Sequence, residues 1–439
     1  MNQESGKPGE QEEVTGLVCE EADLKDGQMK EVTVGDQKVL LVRTHGQYSA
    51  IGNQCTHYSA ALVKGALSGD RVRCPFHGAC FNVKTGDIEE YPGLDSVPSY
   101  KSLKLTKRVK EMCTMRPEVK HTILLIGGGP ASLVCAETLR QNCYQGRIII
   151  MTKDTLLPFD KTKLSKAMNL DSSSILLRSS DFLQQYGIEV WTQKEVVSVN
   201  PADKTVKISD GSSQHYDQLL IATGCRARPL SCPGSDLKGV NVLQCYEDAK
   251  EINGSIFFQV KEVVLKSGTV LEADVVIAGI GVIPNSDFLA GSNVEVDSKK
   301  AVIVDKYMRT NIPDVFAAGD VTSFPLTIRG DQRVNIGHWQ MSQAHGRIAA
   351  LNMLKKPTKI ESIPFFWTVL LGKSIRYAGY AEGYTEIVFK GKVEERKFVA
   401  LYIKDEVVVA AASLMFDPAV SRVAELMATG QTLTKAQAQ

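Results

Sequence analysis

The chain has 439 residues, 43% of them hydrophobic and 23% charged, and a formal net charge of +1 at pH 7. That length allows about three domains with substantial cores, while the balanced charge and the absence of basic runs exclude a nucleic-acid-binding surface. The longest apolar run, around residues 275–283, falls well short of the roughly 20 residues that span a bilayer, so no membrane span is expected. Ten scattered cysteines without a secretory leader fit a reducing compartment, and a cytoplasmic location is expected. The first Arg is Arg43, and the preceding residues are rich in Glu, opposite to a mitochondrial presequence.

Residues 1–14 are polar and read as a disordered tail. From Glu31 the alternation Val32-Thr33-Val34, the β-rich residues 38–42 and the punctuation by Gly35 and Gly46 predict a small all-β domain over residues 15–108. Inside it lie two pairs of candidate metal ligands, Cys55-Thr56-His57 and Cys74-Pro75-Phe76-His77-Gly78. Each pair combines one thiolate with one imidazole, as a binuclear iron-sulfur cluster requires when two Cys hold one iron and two His the other. This is the pattern of a Rieske centre. Tetrahedral zinc is the rival, since it also accepts two Cys and two His, but zinc modules group like ligands at C-x2-4-C and H-x3-5-H spacing. Buried Cys and hydrogen-bonded core His are the bland reading.

High-potential Rieske proteins carry an extra Cys in each ligand loop, joined as a disulfide; the matching positions here are Ala60 and Phe76, and Cys80 has no obvious partner. The resemblance implies a ferredoxin-like centre in the lower part of the roughly −150 to +300 mV range. The charged residues 107–120 read as a linker, with its core at 109–120.

At Thr122 the texture changes. Ile123-Leu124-Leu125-Ile126 reads as a buried parallel strand, followed by Gly127-Gly128-Gly129-Pro130-Ala131-Ser132 and a helical pattern through Arg140. Strand, Gly-rich turn and helix start together suit a pyrophosphate, although Ser132 stands where the dinucleotide fingerprint has its third Gly. A strand over residues 147–151 ends near Asp154, placed to hold a ribose. Leu219-Leu220-Ile221-Ala222-Thr223-Gly224 and Val315-Phe316-Ala317-Ala318-Gly319-Asp320 read as two further buried strand ends.

With these motifs the sequence resembles the FAD-dependent pyridine-nucleotide reductases, a family that includes ferredoxin reductases and apoptosis-inducing factor. Within it the chain is similar to the branch with an N-terminal Rieske domain. The resemblance implies FAD contacts at Gly127, Gly129, Pro130, Ala131, Asp154, Val196, Thr223, Gly224, Arg228, Gly319 and Asp320. In the family stretch that appears here as residues 157–166, Lys161 replaces an Arg on the FAD phosphates, and Lys166 matches a lysine beside the flavin ring, the candidate catalytic residue. His338 and Trp339 match a helix start aimed at the flavin, and Trp367 an aromatic near it. Singly, the three cations could be solvated charges and the two Trp ordinary core; Asp320, after a buried Ala-Ala-Gly run, needs a partner.

The family also carries an NAD(P)H-binding unit between the Ala-Thr-Gly turn and the strand that appears here as Gly279-Ile280-Gly281-Val282-Ile283-Pro284. Only about 55 residues separate Gly224 from Gly279, and a full nucleotide domain takes on the order of 100, so residues 246–268 read as a remnant and NAD(P)H binding is doubtful. The remnant is expected to leave the junction at residues 254–259, with Ile256, Phe257 and Phe258, exposed or misplaced.

The fold class expected is therefore multi-domain. An all-β Rieske domain (15–108) precedes an α/β FAD-binding Rossmann-like domain (121–245 and 269–360) with a truncated NAD-binding domain, and a C-terminal α+β domain (361–439) follows. The last has strands near residues 397–403 and 407–412 and a helix over 420–427. The resemblance implies an oxidoreductase passing electrons between NAD(P)H, FAD and the [2Fe-2S] cluster. Its alternative is a non-catalytic, apoptosis-related regulator that holds both cofactors without using NAD(P)H. A Rieske oxygenase is disfavoured because a flavoprotein, rather than a mononuclear iron domain, follows the cluster. The electron acceptor is left unassigned, a homodimer is left open, and the resemblance allows mitochondrial association.

Overall fold

The structure, a computed structural model, describes residues 18–100, 109–166, 169–254 and 260–439. The predicted tail at residues 1–14, the start of the charged stretch at 107–108, and Ile256, Phe257 and Phe258 of the predicted junction lie outside the described residues. The chain divides into two compact units, residues 1–110 with 363–439, and residues 111–362. Among the described residues no helix is long and apolar enough to cross a membrane.

In the first unit the N-terminal segment forms two antiparallel sheets. Gln28–Val34, Gln37–Thr44 and Gln47–Gly52 make a three-stranded meander, and Ala66–Ser68, Arg71–Arg73, Cys80–Asn82 and Ile88–Glu90 a four-stranded one. Alternation drives this: Leu40, Val42, Ile51, Leu62, Val72 and Phe81 point inward and are fully buried, with Cys55 and Cys74 in the same core.

The C-terminal segment adds a five-stranded antiparallel sheet in the order Phe365–Leu370, Lys373–Gly379, Val407–Leu414, Lys397–Lys404, Glu386–Lys392. Its helix Ala419–Ala428 packs on two of these strands and also on Ala66–Ser68 and Arg71–Arg73 of the N-terminal segment. The sequence divides these segments into separate domains; in the fold they share one compact unit, and Arg73 and Glu425 pair between the two segments with both side chains buried.

The second unit is doubly wound. Ile188–Trp191, Arg147–Met151, Thr122–Ile126, Gln218–Ile221 and Val315–Ala317 form a parallel sheet in that order. Thr122–Ile126 is buried at every position, as a strand covered on both faces must be. The chain leaves it toward Arg147–Met151 and later returns on its other side, so its carboxyl end is the topological switch point where α/β sheets bind ligands. Helix Pro130–Gln141 starts there and crosses helix Trp339–Met353 closely. Residues 111–120, predicted as linker, are strapped to this unit by Cys113 N–H to Arg140 O and Arg116 N–H to Gln145 O.

The predicted remnant at 246–268 contains helix Tyr246–Gly254 and strand Glu262–Val264, which forms a hairpin with Val270–Glu272 just past it. Beyond it, only Val282–Pro284 of the expected apolar strand pairs, with Cys225–Ala227. Residues 275–280 carry no strand, and Val275 and Ile277 are 71% and 91% exposed. A buried-type sequence stands in water here because the described residues include no neighbouring strands to cover it.

Candidate functional site

The two predicted ligand loops fold alike. Cys55 N–H donates to Ala60 O at 2.9 Å and Cys74 N–H to Ala79 O at 2.8 Å, so each loop closes over the same span. The turn residues match as well: Ser59 and Gly78, each four positions after the cysteine, adopt φ of 52° and 77°. A left-handed residue is what lets the chain reverse so tightly.

This geometry brings the four predicted ligands together in two pairs. The Cys55 and Cys74 thiols are within hydrogen-bonding reach, and Nδ1 of His57 lies 2.9 Å from Nδ1 of His77. Burial, and then the adjacent Cys55 thiol, push the Cys74 thiol well above its ordinary range. Two apposed buried thiols can both ionise only beside a cation, and the backbone N–H of Phe76, 3.5 Å from Cys74 Sγ, is aimed at the sulfur. Thiols sorted from imidazoles match the unequal iron sites of a Rieske cluster, so the donor set fits that group.

Aromatic rings box the imidazoles. Tyr58 meets His57 edge-on with centroids 4.6 Å apart, and Trp367 lies 4.9 Å from His77 and 5.9 Å from His57. Trp367, matched in sequence to a flavin-side aromatic, is thus placed in this unit against the cluster ligands. Behind the second loop runs a charge network that the sequence reading missed. Fully buried Arg73 donates to Gly78 O at 2.9 Å and Glu90 at 2.8 Å and pairs with Glu425. Arg71 bridges Glu89, Glu90 and Glu425. Burial alone would raise Glu90, but the two guanidiniums overcome it and hold its carboxyl below the usual range. Burial pushes the Cys80 thiol beside them up to about 12, so it stays neutral. The available signals were an Arg one residue before a ligand Cys and a lone carboxylate in an apolar helix.

In the second unit the predicted nucleotide residues gather at the switch point. Gly127, at φ 115°, has no room for a Cβ, which would come 2.2 Å from Ala222 O; Gly129, by contrast, faces open space. Pro130 opens the helix, Ala131 follows, and Ser132 Oγ is buried without a hydrogen-bond partner. Asp154 follows strand Arg147–Met151, with Lys161 Nζ 3.6 Å from its carboxylate. Asp320 accepts from Ser342 Oγ at 2.7 Å; desolvation raises its pKa, opposed by that hydroxyl and by Lys161. Gly-rich turn and helix start stand at the switch point, Lys161 links Asp154 and Asp320, and Gly129 leaves open space before the helix; together these residues fit the pyrophosphate and ribose of FAD.

The other predicted residues are placed as follows. Thr223 Oγ1 donates to Asn285 O at 2.6 Å, and Gly224 makes the left-handed turn beside it. Val196 is buried at the head of its strand. Arg228 binds Gly281 through its backbone, and its side chain is exposed. Lys166 Nζ donates to Thr162 O at 2.9 Å. His338 caps helix Trp339–Met353 and is half-buried. His345 is a further residue of this site: fully buried, it accepts from Gly319 N–H through Nδ1 at 3.2 Å and so fixes the turn that carries Asp320.

Comparisons with known proteins follow this division. Family models match for a Rieske [2Fe-2S] domain at residues 15–101, a pyridine nucleotide-disulphide oxidoreductase at 121–255 and 246–346, and a reductase C-terminal domain at 365–439. Apoptosis-inducing factor 3 of Mus musculus is 38% identical over 521 residues, covering 98% of this chain and 86% of the relative. That alignment therefore holds on the order of 90 residues with no counterpart here, and the oxidoreductase match breaks in two at residues 246–255. The ferredoxin–NAD(+) reductase component of the biphenyl dioxygenase system of Paraburkholderia xenovorans is 26% identical over 67% of this chain and 90% of its own length.

Among solved structures, a ferredoxin reductase from Rhodopseudomonas palustris aligns with a TM-score of 0.66 at 22% identity, over 73% of this chain and 97% of its own. The covalent putidaredoxin reductase–putidaredoxin complex gives 0.66 at 21%, over 73% and 96%. The chain belongs to the pyridine nucleotide-disulphide oxidoreductase family, in the branch of apoptosis-inducing factor 3, where a Rieske [2Fe-2S] domain precedes an FAD-binding reductase.

Proposed function

We propose that this oxidoreductase passes electrons between FAD and its own Rieske cluster, with Cys55, His57, Cys74 and His77 as cluster ligands. FAD, when bound, exchanges electrons in pairs or singly, and a [2Fe-2S] cluster exchanges one, which is the chemistry the two sites supply. The observation that carries the reading is the presence in one chain of paired thiols and imidazoles and of a glycine turn and helix start at the switch point, with Lys161 acting on both Asp154 and Asp320. The Gly127–Gly129 turn and the start of helix Pro130–Gln141 hold the pyrophosphate, Lys161 neutralises it, and Asp320 and Asp154 accept from hydroxyls of FAD. Trp367 and Tyr58 limit water at the imidazoles and fix their ring planes. His57 and His77 also provide proton-accepting nitrogens whose basicity depends on the charge of the metal they bind.

One observation favours a second reading, a cofactor-holding regulator that cannot accept hydride. Among the described residues of 246–281 there are a helix and a hairpin, with Val275 and Ile277 in solvent, and no nucleotide domain. Anaerobic mixing of the purified holoprotein with NADH or NADPH separates the two. Bleaching of the flavin band within seconds supports the oxidoreductase working from NAD(P)H. If dithionite bleaches the band and neither nucleotide does, the chain receives its electrons otherwise or serves as the regulator. Flavin reduction that never reaches the cluster EPR signal would sink electron transfer altogether.

A further inference from the structure

No covalent brace ties the two ligand loops: Ala60 and Phe76 carry no thiol, and none of the ten cysteines is in a disulfide. The second loop is gripped instead by the C-terminal segment, almost residue by residue. Ser421 Oγ donates to Cys74 O at 3.2 Å, in a buried contact. The Arg376 guanidinium stands 5.8 Å from the Phe76 ring centroid, and Trp367 lies 4.9 Å from His77. Phe365 is packed so tightly under Gly78 that a Cβ there would come 2.7 Å from its ring. Beneath the loop, Arg73 joins Gly78 O to Glu425. Glu425 is 3% exposed, and its second oxygen has no hydrogen-bond partner, so its charge is balanced by Arg73 and Arg71.

Such an arrangement exceeds what domain adhesion needs. Adhesion would be served by apolar contacts anywhere on the interface, whereas these contacts converge on residues 74–78; one, from Ser421, ends on the backbone of the loop, and Glu425 holds Arg73, which binds that backbone at Gly78 O. Outer groups that hydrogen-bond around a metal site fix its ligands, and their loss typically weakens metal retention 10- to 100-fold. We propose that the C-terminal domain is the brace of the Rieske cluster, with Ser421, Glu425 and Arg73 as positioning residues that hold Cys74 and His77 in place. This rests on the electron-transfer reading above.

The test uses the full-length holoprotein and the variants Ser421→Ala and Glu425→Ala, with Glu386→Ala as control, since Glu386 pairs with Lys435 at the exposed side of the same domain. Glu425→Gln keeps an acceptor for Arg73. Cluster loss to an iron chelator is expected to quicken roughly tenfold in Glu425→Ala, less in Glu425→Gln, and not at all in Glu386→Ala, with FAD content unchanged. A shift in the g values of the reduced cluster and in its midpoint potential should accompany Ser421→Ala, at an unchanged melting temperature. Should Glu425→Ala not fold, Ser421→Ala decides alone. Variants that match the parent in chelator rate, g values and midpoint overturn the brace and leave electron transfer standing. A parent protein without a Rieske EPR signal overturns both.

Discussion

His345 shows how one buried side chain sets a pH dependence. An imidazole ordinarily ionises near 6.5, and burial pushes His345 down to about 3, so the folded protein keeps it neutral. An unfolded chain takes up a proton there below pH 6.5 and the folded one does not. The stabilisation is therefore complete above about 6.5 and is lost as pH falls toward 3, at about 1.4 kcal/mol per pH unit. Burial lowers His338 of the same unit to about 4 with the same sign, so urea unfolding between pH 7 and 5 should show the sum of the two, and His345→Gln should remove the His345 share of the slope. Gly129 gives a test of the cradle itself. Its backbone, at φ −90° and ψ −177°, accepts any side chain, and no atom stands within 4 Å of its missing Cβ. Gly129→Leu should leave the stability of FAD-free protein within about 0.5 kcal/mol of the parent while abolishing FAD retention, read from absorbance after gel filtration. Residues with a fixed motif, such as Cys74 and Gly127, were legible in the sequence. Arg73 and His345 were not, because their roles come from partners 352 and 26 positions away.

Among the elements, the crossing of helices Pro130–Gln141 and Trp339–Met353 carries the cradle. Gly346 makes it close, since a Cβ there would come 2.1 Å from Ala131 O. Gly346→Ala should cost about 1–3 kcal/mol by overpacking, measured by denaturant unfolding, and should loosen FAD because Ala131 lies in the turn that holds it. The parallel strands at residues 122–126, 147–151, 218–221 and 315–317 were readable as apolar runs, being largely buried, whereas Ile188–Trp191, mostly half-buried, was not; the helix at 420–427 was legible through the family resemblance. Of the strand read at residues 279–284 only Val282–Pro284 forms, and the apolar residues 275–280 before it carry no strand. A run of β-formers specifies a strand only when neighbours receive its hydrogen bonds. The lodging of helix Ala419–Ala428 against the Rieske strands could not be read, because nothing in local periodicity says which of several apolar faces will meet.

For the whole molecule, the uncovered residues 275–280 set its solution behaviour. Exposed apolar runs of this kind associate, and light scattering should show self-association that grows with concentration. Ile277→Lys should reduce it at a stability cost within about 0.5 kcal/mol, since the side chain is already 91% in solvent. The union of the chain's two ends has a temporal consequence. Strand Arg71–Arg73 leaves the ribosome early and Glu90 soon after it, while Glu425, the second carboxylate on Arg73, is made 352 residues later than Arg73. At about 5–20 residues per second, that interval is on the order of 20–70 s. Throughout it Glu90 is the carboxylate available to Arg73, and the ligand loop above lacks the contacts of Glu425 and Ser421 until synthesis is nearly complete.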